Sequence, residues 1–356
     1  MKALILSGGK GTRLRPITHT GAKQLVPIAN KPIIFYVIEN IVKLGIKDIG
    51  IVISPETGEV IKKTIGNGAR WNVNIKYILQ QEPKGLAHAV KVARDFLGQD
   101  SFLMYLGDNL LGGDIKQFYQ KFKEKKPEAL ILLKEVENPS SFGVAQVNKE
   151  GEVIKLEEKP KNPKSNLALV GVYLFSSAIH RAIDKLKPST RGELEITDAI
   201  QNLIKDNKKI ISHVVTDWWL DTGKKDDLLK ANTIVLDELI NRRIKGTISK
   251  NSQIDGRVVI PKTSKIIDSD IRGPVTIGEN VVIENSFIGP FTSIGDDCQI
   301  NKSNIEHCVI LNNCQISKIN NLRDSLIGKR SIIAKTDNKI KHSLKLMLGD
   351  DSKVDV

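Results

Sequence analysis

Met1-Lys2-Ala3-Leu4-Ile5-Leu6-Ser7-Gly8-Gly9-Lys10-Gly11-Thr12-Arg13-Leu14-Arg15-Pro16 opens the chain and decides how its first half folds. Met1 to Leu6 is an apolar run suited to a buried strand. Gly8, Gly9 and Gly11 follow at once, so the backbone can turn tightly and approach a ligand without Cβ interference. Their N–H groups can line a phosphate site, to which Lys10, Arg13 and Arg15 add positive charge. The loop is not a Walker A motif, because Gly-x-x-x-x-Gly-Lys-Ser/Thr is absent. It is not a dinucleotide fingerprint either, since Gly9-x-Gly11 is followed by Leu14 where the third glycine belongs. A Gly-Gly pair alone would equally suit an ordinary strand-to-helix turn. A basic glycine loop at the carboxyl end of a first strand is nevertheless where open α/β sheets bind ligands.

Working outward, Pro32 to Leu44 carries a broad apolar stripe at helical spacing, with Pro32 in its first turn and Gly45 at its end. Ile49–Ile53 reads as a strand, Glu56–Ile65 as a helix and Asn74–Leu79 as a strand. This β-α-β-α-β alternation predicts a parallel, doubly wound sheet. Leu86–Phe96 is predicted as one helix, and Ser101–Leu106, Ala129–Val136, Val153–Leu156, Leu167–Phe175 and Val214–Leu220 as strands. Helices are predicted from the Gly192-Glu193-Leu194-Glu195 run to Ile204, and over Lys224–Leu239.

Several polar residues fall at the ends of these elements. Gln80 follows a strand, and a glutamine amide can read the hydrogen-bonding edge of a base. His88 sits on the next helix, where a structural role is the plainer reading. Asp108 and Asp221 each follow an apolar strand, and such carboxylates suit Mg²⁺ held against a triphosphate. A helix cap or Asx turn would use Asp108 equally well. Glu158 could accept sugar hydroxyls and Lys159 could clamp a phosphate, although two surface charges beside Pro160 are also ordinary. Gly171, inside a strand, permits the close approach of a ligand or of another backbone.

From about residue 245 the texture changes. Ile254, Ile260, Ile271, Ile277, Ile283, Ile288, Ile294, Ile300, Ile305, Ile310 and Ile316 recur at steps of five, six or eleven. Neither helices nor hairpins share this period. It is a hexapeptide-type repeat, the mark of a parallel β-helix whose coils cannot bury their faces alone. Leu344 to Asp351 could cap it.

Composition bounds the rest. The chain has 356 residues, room for two domains, and no apolar run long enough to span a membrane. With a strand starting at Met1 and no signal-peptide layout, a cytoplasmic protein is expected. Cys298, Cys308 and Cys314 are odd in number and lack a C-x-x-C pair, which argues against zinc or a disulfide framework and for buried thiols. The net charge of +13 would favour anionic substrates such as nucleotides and sugar phosphates. Scattered lysines and 5% aromatics argue against nucleic acid. Abundant Lys, Glu and Ile with few Met and Cys match thermophile compositions.

The opening string, with Lys23-Gln24-Leu25-Val26-Pro27 after it, resembles the Gly-Gly-x-Gly-Thr-Arg-Leu-x-Pro signature of the sugar-phosphate nucleotidylyltransferases. The resemblance runs along the whole chain and is to their glucose-1-phosphate thymidylyltransferase branch, in its longer form. It implies a Rossmann-like, doubly wound mixed α/β sheet as nucleotidyltransferase domain over residues 1–240, then a left-handed parallel β-helix with its cap over 241–356. The implied reaction is attack of a sugar 1-phosphate on the α-phosphorus of a nucleoside triphosphate, with Mg²⁺ as cofactor and pyrophosphate leaving. The substrates implied are dTTP, with UTP as alternative, and glucose 1-phosphate or a related sugar phosphate, in a homo-oligomeric trimer or tetramer that binds neither nucleic acid nor membrane.

Residue by residue, the resemblance implies that Leu6, Gly8, Gly9, Gly11, Thr12, Arg13, Gln80, Pro83, Gly85 and Asp108 bind the nucleotide. Asn109, Gly143, Glu158, Lys159, Val170 and Trp219 would hold the sugar phosphate, and Asp108 and Asp221 the metal. Arg13, Lys23 and Lys159 would be catalytic. The attacking phosphate is already anionic, so no general base is needed, in keeping with a chain that shows no Ser-His or Cys-His constellation. Acetyl transfer on the β-helix is a competing reading, with His307 as the histidine inside the repeats and His342 beyond them; beside Glu306, His307 reads as a surface residue. A non-catalytic sugar-nucleotide sensor would require Arg13, Lys23, Asp108 and Asp221 to be lost, and all are present.

Overall fold

The computed structural model describes residues 1–9, 11–19, 21–223, 225–335 and 344–355. Lys10, Lys224 and His342, singled out above, lie outside the described residues. The chain divides into two compact units, Met1–Lys10 with Ile34–Leu220, and Gly11–Ile33 with Asp221–Val356.

The first unit is built on a mixed sheet. β1 (Lys2–Ser7), β2 (Asp48–Ile53) and β3 (Asn74–Leu79) run parallel, joined by α1 (Ile33–Lys43) and α2 (Gly58–Ile65). After α3 (Leu86–Val92) and α4 (Arg94–Leu97), β4 (Phe102–Leu106) pairs parallel on the other side of β1. Ala3, Leu4 and Ile5 are wholly buried, as a strand covered on both faces requires. The short β5 (Asn109–Leu111) then leaves the sheet, and α5 (Lys116–Lys125) leads to β6 (Ala129–Glu135).

The sheet reverses direction at β9 (Leu167–Phe175), which is antiparallel to both β4 and β6. β7 (Gly143–Val147) and β8 (Val153–Glu158) form an antiparallel pair at the edge. Pairing of β9 with β6 skips between Leu169 and Tyr173, which frees Val170 and Gly171 from that ladder. α6 (Ala178–Asp184) and α7 (Ile196–Lys205) pack on this sheet through Ile179, Ile183, Ile196 and Ile200, against Phe102, Met104 and Phe175.

Two expectations need correction here. Leu86–Phe96 is not one helix: it breaks at Ala93, whose N–H is shared between the carbonyls of Ala89 and Val90. Nor is Val214–Leu220 one strand. β10 (Ile210–Val214) pairs parallel with β6, and β11 (Trp219–Asp221) pairs with β5 instead. Between them the Lys134 ammonium donates to the carbonyls of Val215, Thr216 and Asp217, at 3.2, 2.9 and 2.8 Å. The ammonium thus supplies these carbonyls with a donor where no strand partner does.

The second unit carries α8 (Lys225–Leu239) and the repeats, which do form a parallel β-helix. Ile266, Ile283, Ile300, Ile316 and Ile333 pair in register from coil to coil. Ile254, Ile271, Ile288, Ile305 and Leu322 do the same on another face. Ile277, Ile294, Ile310 and Ile327 line a third. All but Ile254, in the first coil, are buried.

Serines form a ladder inside: the Ser269, Ser286 and Ser303 hydroxyls each accept an N–H from the next coil, at 3.0, 3.1 and 3.1 Å. Asn280, Asp297 and Asn313 turn one corner at φ of 57, 57 and 64°, a left-handed region that these short polar side chains tolerate. Cys298, Cys308 and Cys314 are free and buried within the coils. No helix among the described residues is long and apolar enough to cross a membrane.

Ile300→Ala removes a side chain that is 1% exposed in the middle of the stack, whereas Ile332→Ala removes one that is 40% exposed. The first should cost about 2–5 kcal/mol and the second under about 0.5 kcal/mol. Guanidinium unfolding of the full chain measures both. Equal losses would show that the assigned inward face is wrong.

Candidate active site

In the first unit the ends of β1 and β3 meet around Gln80. Its N–H continues the β3 ladder by donating to the Ile53 carbonyl at 2.9 Å, and the side chain is buried. The amide Nε2 donates to the Gly85 carbonyl at 3.3 Å and lies 3.0 Å from His88 Nδ1. Burial, with Lys84 and Lys91 nearby, holds the His88 pKa below the usual range. A neutral ring can accept that N–H, so His88 serves to orient the amide.

Gln80 Oε1 faces β1: a Cβ on Gly8 would stand only 3.1 Å from it. Gly85 has φ 96°, and a Cβ there would fall 2.5 Å from the Leu194 carbonyl. This glycine lets the 80–85 loop zip onto the 193–195 segment, through Leu194 N–H to the Lys84 carbonyl at 2.8 Å and Ala87 N–H to the Leu194 carbonyl at 3.1 Å. Leu6 is buried at the end of β1, while Gly9 and Pro83 are exposed.

A second group gathers where β7 begins and β8 ends. Gly143 pairs with Glu158, and a Cβ on Gly143 would lie 3.2 Å from Glu158 Oε2 and 2.8 Å from Thr197 Cγ2. Glu158 Oε2 accepts the Thr197 hydroxyl at 3.2 Å, and Oε1 accepts Arg191 Nη1 at 3.3 Å. Arg191 also reaches Glu193 at 3.0 Å and Glu195 at 3.6 Å. Burial raises the Glu158 pKa, and the neighbouring Glu195 carboxylate adds to this; Lys159, Thr197 and Arg191 oppose it. Lys159 is exposed, at φ 43°, with its N–H on the Phe142 carbonyl at 3.0 Å. Sequence reasoning missed Arg191 and Thr197. The signal available was an arginine placed directly before the acidic Gly192–Glu195 run.

Beside this group, buried Asn109 forms a junction. Its Oδ1 accepts Trp219 Nε1–H at 2.7 Å and Gly171 N–H at 3.3 Å, and its Nδ2 donates to Asp108 Oδ1 at 3.3 Å. Gly171 has no room for a side chain, since a Cβ would lie 2.5 Å from Leu106 Cδ1. Val170 is fully buried next to it, and the Trp219 ring meets Phe142 edge-on at 5.3 Å.

The second unit holds the remaining residues. Gly11, at φ 63°, starts a short turn over Thr12–Leu14, and its carbonyl accepts the Thr18 hydroxyl at 2.6 Å. A Cβ on Gly11 would be 3.0 Å from Lys23 Cβ, so the two turns of this loop close on each other at that point. Lys23 is half-buried, and Thr12 and Arg13 are exposed. Around Gly223, Arg13 Nη2 and Asp221 Oδ1 lie 3.0 and 3.2 Å from where a Cβ would be, which places a guanidinium and a carboxylate over one glycine.

Among the described residues, no three His, Cys, Asp or Glu side chains gather as a metal cage. Asp108 and Asp221 are nevertheless hard oxygen donors, and Mg²⁺ is usually held by one or two carboxylates together with substrate phosphates. The donor chemistry therefore fits that ion.

The nucleotidyl transferase family model matches residues 2–238, and the GMPPB C-terminal domain model matches 271–355. A glucose-1-phosphate thymidylyltransferase of Streptomyces griseus is 46% identical over 356 residues, covering 100% of this chain and 99% of its own. The low-salt glycan biosynthesis nucleotidyltransferase Agl11 of Haloferax volcanii is 44% identical, with 99% of each chain covered. A solved Bacillus anthracis structure, described as a glucose-1-phosphate thymidylyltransferase with sucrose bound, superposes with a TM-score of 0.63 at 36% identity, over 68% of this chain and 98% of that one. The chain belongs to the nucleotidyl transferase family, among its sugar-1-phosphate nucleotidyltransferases.

Proposed function

We propose that the enzyme joins dTTP and glucose 1-phosphate to give dTDP-glucose and pyrophosphate. The carrying observation is end-to-end similarity to the Streptomyces griseus relative, which extends through the β-helix as well as the catalytic motifs. The separate family matches to 2–238 and 271–355 support a functional division into residues 1–240 and 241–356.

Gln80, oriented by His88 and Gly85, reads the base edge. Leu6, Gly8, Gly9, Gly11 and Thr12 present backbone to the nucleotide, with Pro83 at the rim. Glu158 accepts sugar hydroxyls, with Gly143, Val170, Asn109 and Trp219 holding the sugar phosphate beside it. Arg191 and Thr197 fix the Glu158 carboxylate. Lys159 holds the sugar phosphate. Arg13 and Lys23 neutralise charge that builds on the departing pyrophosphate. Asp108 and Asp221 are the carboxylates assigned to Mg²⁺, which when bound offsets phosphate charge. The transfer needs positioning and charge neutralisation rather than covalent help from the protein.

Acetyl transfer is disfavoured because Nε2 of His307, the nitrogen that would take the proton, is already engaged by a side chain of α8. Far from being a free surface group, His307 is bonded through Nδ1 to the Asp324 carboxylate, and its Nε2 lies 2.9 Å from the Thr233 hydroxyl.

Pyrophosphate release with Mg²⁺, comparing dTTP, UTP, GTP, CTP and ATP against glucose 1-phosphate and its amino-sugar counterparts, tests the reaction. The highest kcat/KM is expected with dTTP and glucose 1-phosphate; no release with any pair would overturn the assignment. Arg13→Ala should lower kcat by about 10²–10³-fold, the cost of losing one donor to developing charge. An unchanged kcat would remove Arg13 from that role.

The raised Glu158 pKa sets a pH signature. The carboxylate accepts with both oxygens and with charge, protonation turns one of them into a donor, and this group protonates at a higher pH than an ordinary glutamate. The KM for sugar phosphate should therefore climb as pH falls into the weakly acidic range. Glu158→Gln should have a higher KM at neutral pH and a flatter profile, with titration of the substrate phosphate common to both enzymes. Parallel profiles would assign the pH dependence elsewhere.

A further inference from the structure

The loop that carries Arg13 and Lys23 belongs to the compact unit of the β-helix. Its last part is a tight hairpin. Pro27–Ile28 pairs with Lys31–Pro32, and the turn residues Ala29 and Asn30 both have positive φ, 48 and 62°. Neither residue is a glycine, so surrounding contacts must hold this turn.

Asn232, on α8, supplies one of them. Its side chain is fully buried; Oδ1 accepts the Ala29 N–H at 2.9 Å and Nδ2 donates to the Phe291 carbonyl at 3.0 Å. Phe291 is itself a β-helix corner at φ 60°, unusual for a bulky residue. A second tie bypasses α8, with Asn30 Nδ2 donating to the Ile294 carbonyl at 2.6 Å. At the far end of the loop, Pro16 packs on the last coil, where a Cβ on Gly349 would be 2.9 Å from Pro16 Cβ. α8 is secured to the same corner column by Thr233 to His307, and lower down by Asp237 to Arg257.

We infer that the β-helix is the anchor of the nucleotide loop, and that Asn232 and Asn30 are positioning residues for Arg13 and Lys23. The inference rests on the nucleotidyl-transfer reading for what the loop binds, but not for the tether itself. The ligand contacts are assigned to residues between Gly11 and Lys23, whereas the ties fall at Ala29 and Asn30 and run to backbone groups. Losing them should loosen the loop and leave the sugar pocket, built in the other unit, unchanged.

Asn30→Gly suits the positive φ while deleting the tie to Ile294, and Asn232→Ala deletes the tie to both backbones. Amide hydrogen exchange over residues 11–33 should rise about tenfold in each variant, the effect of one buried hydrogen bond, with α8 and β-helix amides unchanged. Binding of dTTP should weaken and its kcat/KM fall by a similar factor, while the KM for sugar phosphate stays constant. Asn232→Ala could destabilise the whole unit; Asn30→Gly then decides. Unchanged loop exchange in Asn30→Gly overturns the tether, whether or not any nucleotide pair reacts. A loosened loop with unchanged dTTP binding and kinetics overturns the positioning role. Absence of turnover in the wild-type enzyme would instead count against the reaction, and exchange with dTTP binding would still judge the anchor.

Discussion

The described part of residues 11–33 has turns but little regular structure of its own. It contains short turns at Thr12–Leu14 and Lys23–Leu25 and a minimal hairpin, too little regular structure to pair the backbone groups that a cationic loop must bury. The Asn232 amide answers that need. One side chain satisfies a backbone donor of the loop and a backbone acceptor of the β-helix at once, away from water, where an unpaired partner would cost about 1–3 kcal/mol. A hydrophobic contact could fill the same space but would leave both groups unpaired. The isoleucine stack then matters to the chemistry indirectly, because the corner at Phe291 is only as fixed as the coils above and below it.

In the other unit, precision comes from omitting side chains. Gly8, Gly85, Gly143 and Gly171 each stand where a Cβ would press on a functional or supporting group. Gln80 and Glu158 consequently lie close against backbone, and side chains complete their orientation: His88 for Gln80, Thr197 and Arg191 for Glu158. The reversal of β9 contributes to the same end. An antiparallel strand beside β4 brings Val170 and Gly171 to the carboxyl end of the parallel strands, next to Asn109. A purely parallel sheet would have sent that segment back across a helix.

The fold was legible where a periodic signal had no rival. The isoleucine steps exclude helix and hairpin, and the alternating apolar runs around β1, β2 and β3 specify a parallel sheet. Gly8, Gln80, Asp108 and Glu158 could be picked out because each sits at a strand end. Reading failed where pairing was decided at a distance. Nothing local marks Val215–Asp217 as the place where a strand stops; the donor that serves its carbonyls there, Lys134, comes from β6. Similarly, the carboxylates that pair with Arg191, Glu158, Glu193 and Glu195, converge on it only in the fold.

Asn232 is the extreme case of that failure. It sits in Lys230-Ala231-Asn232-Thr233, a stretch without motif, cap or period, and its partner Ala29 is 203 residues away. Texture alone puts a boundary near residue 245, where isoleucine repeats replace α/β patterning. Packing groups Gly11–Ile33 with those repeats instead. The two divisions answer different questions. Periodicity reports which residues share a kind of secondary structure; buried polar ties report which segments must move together. The placement of a loop that handles charge depends on the second, because a shift of about 1 Å in a positioned cation can cost about a hundredfold in rate. If Arg13 and Lys23 carry the charge assigned to them, the β-helix belongs to the proposed catalytic machinery through the rigidity it lends their loop, although its coils contribute none of the residues assigned to substrate.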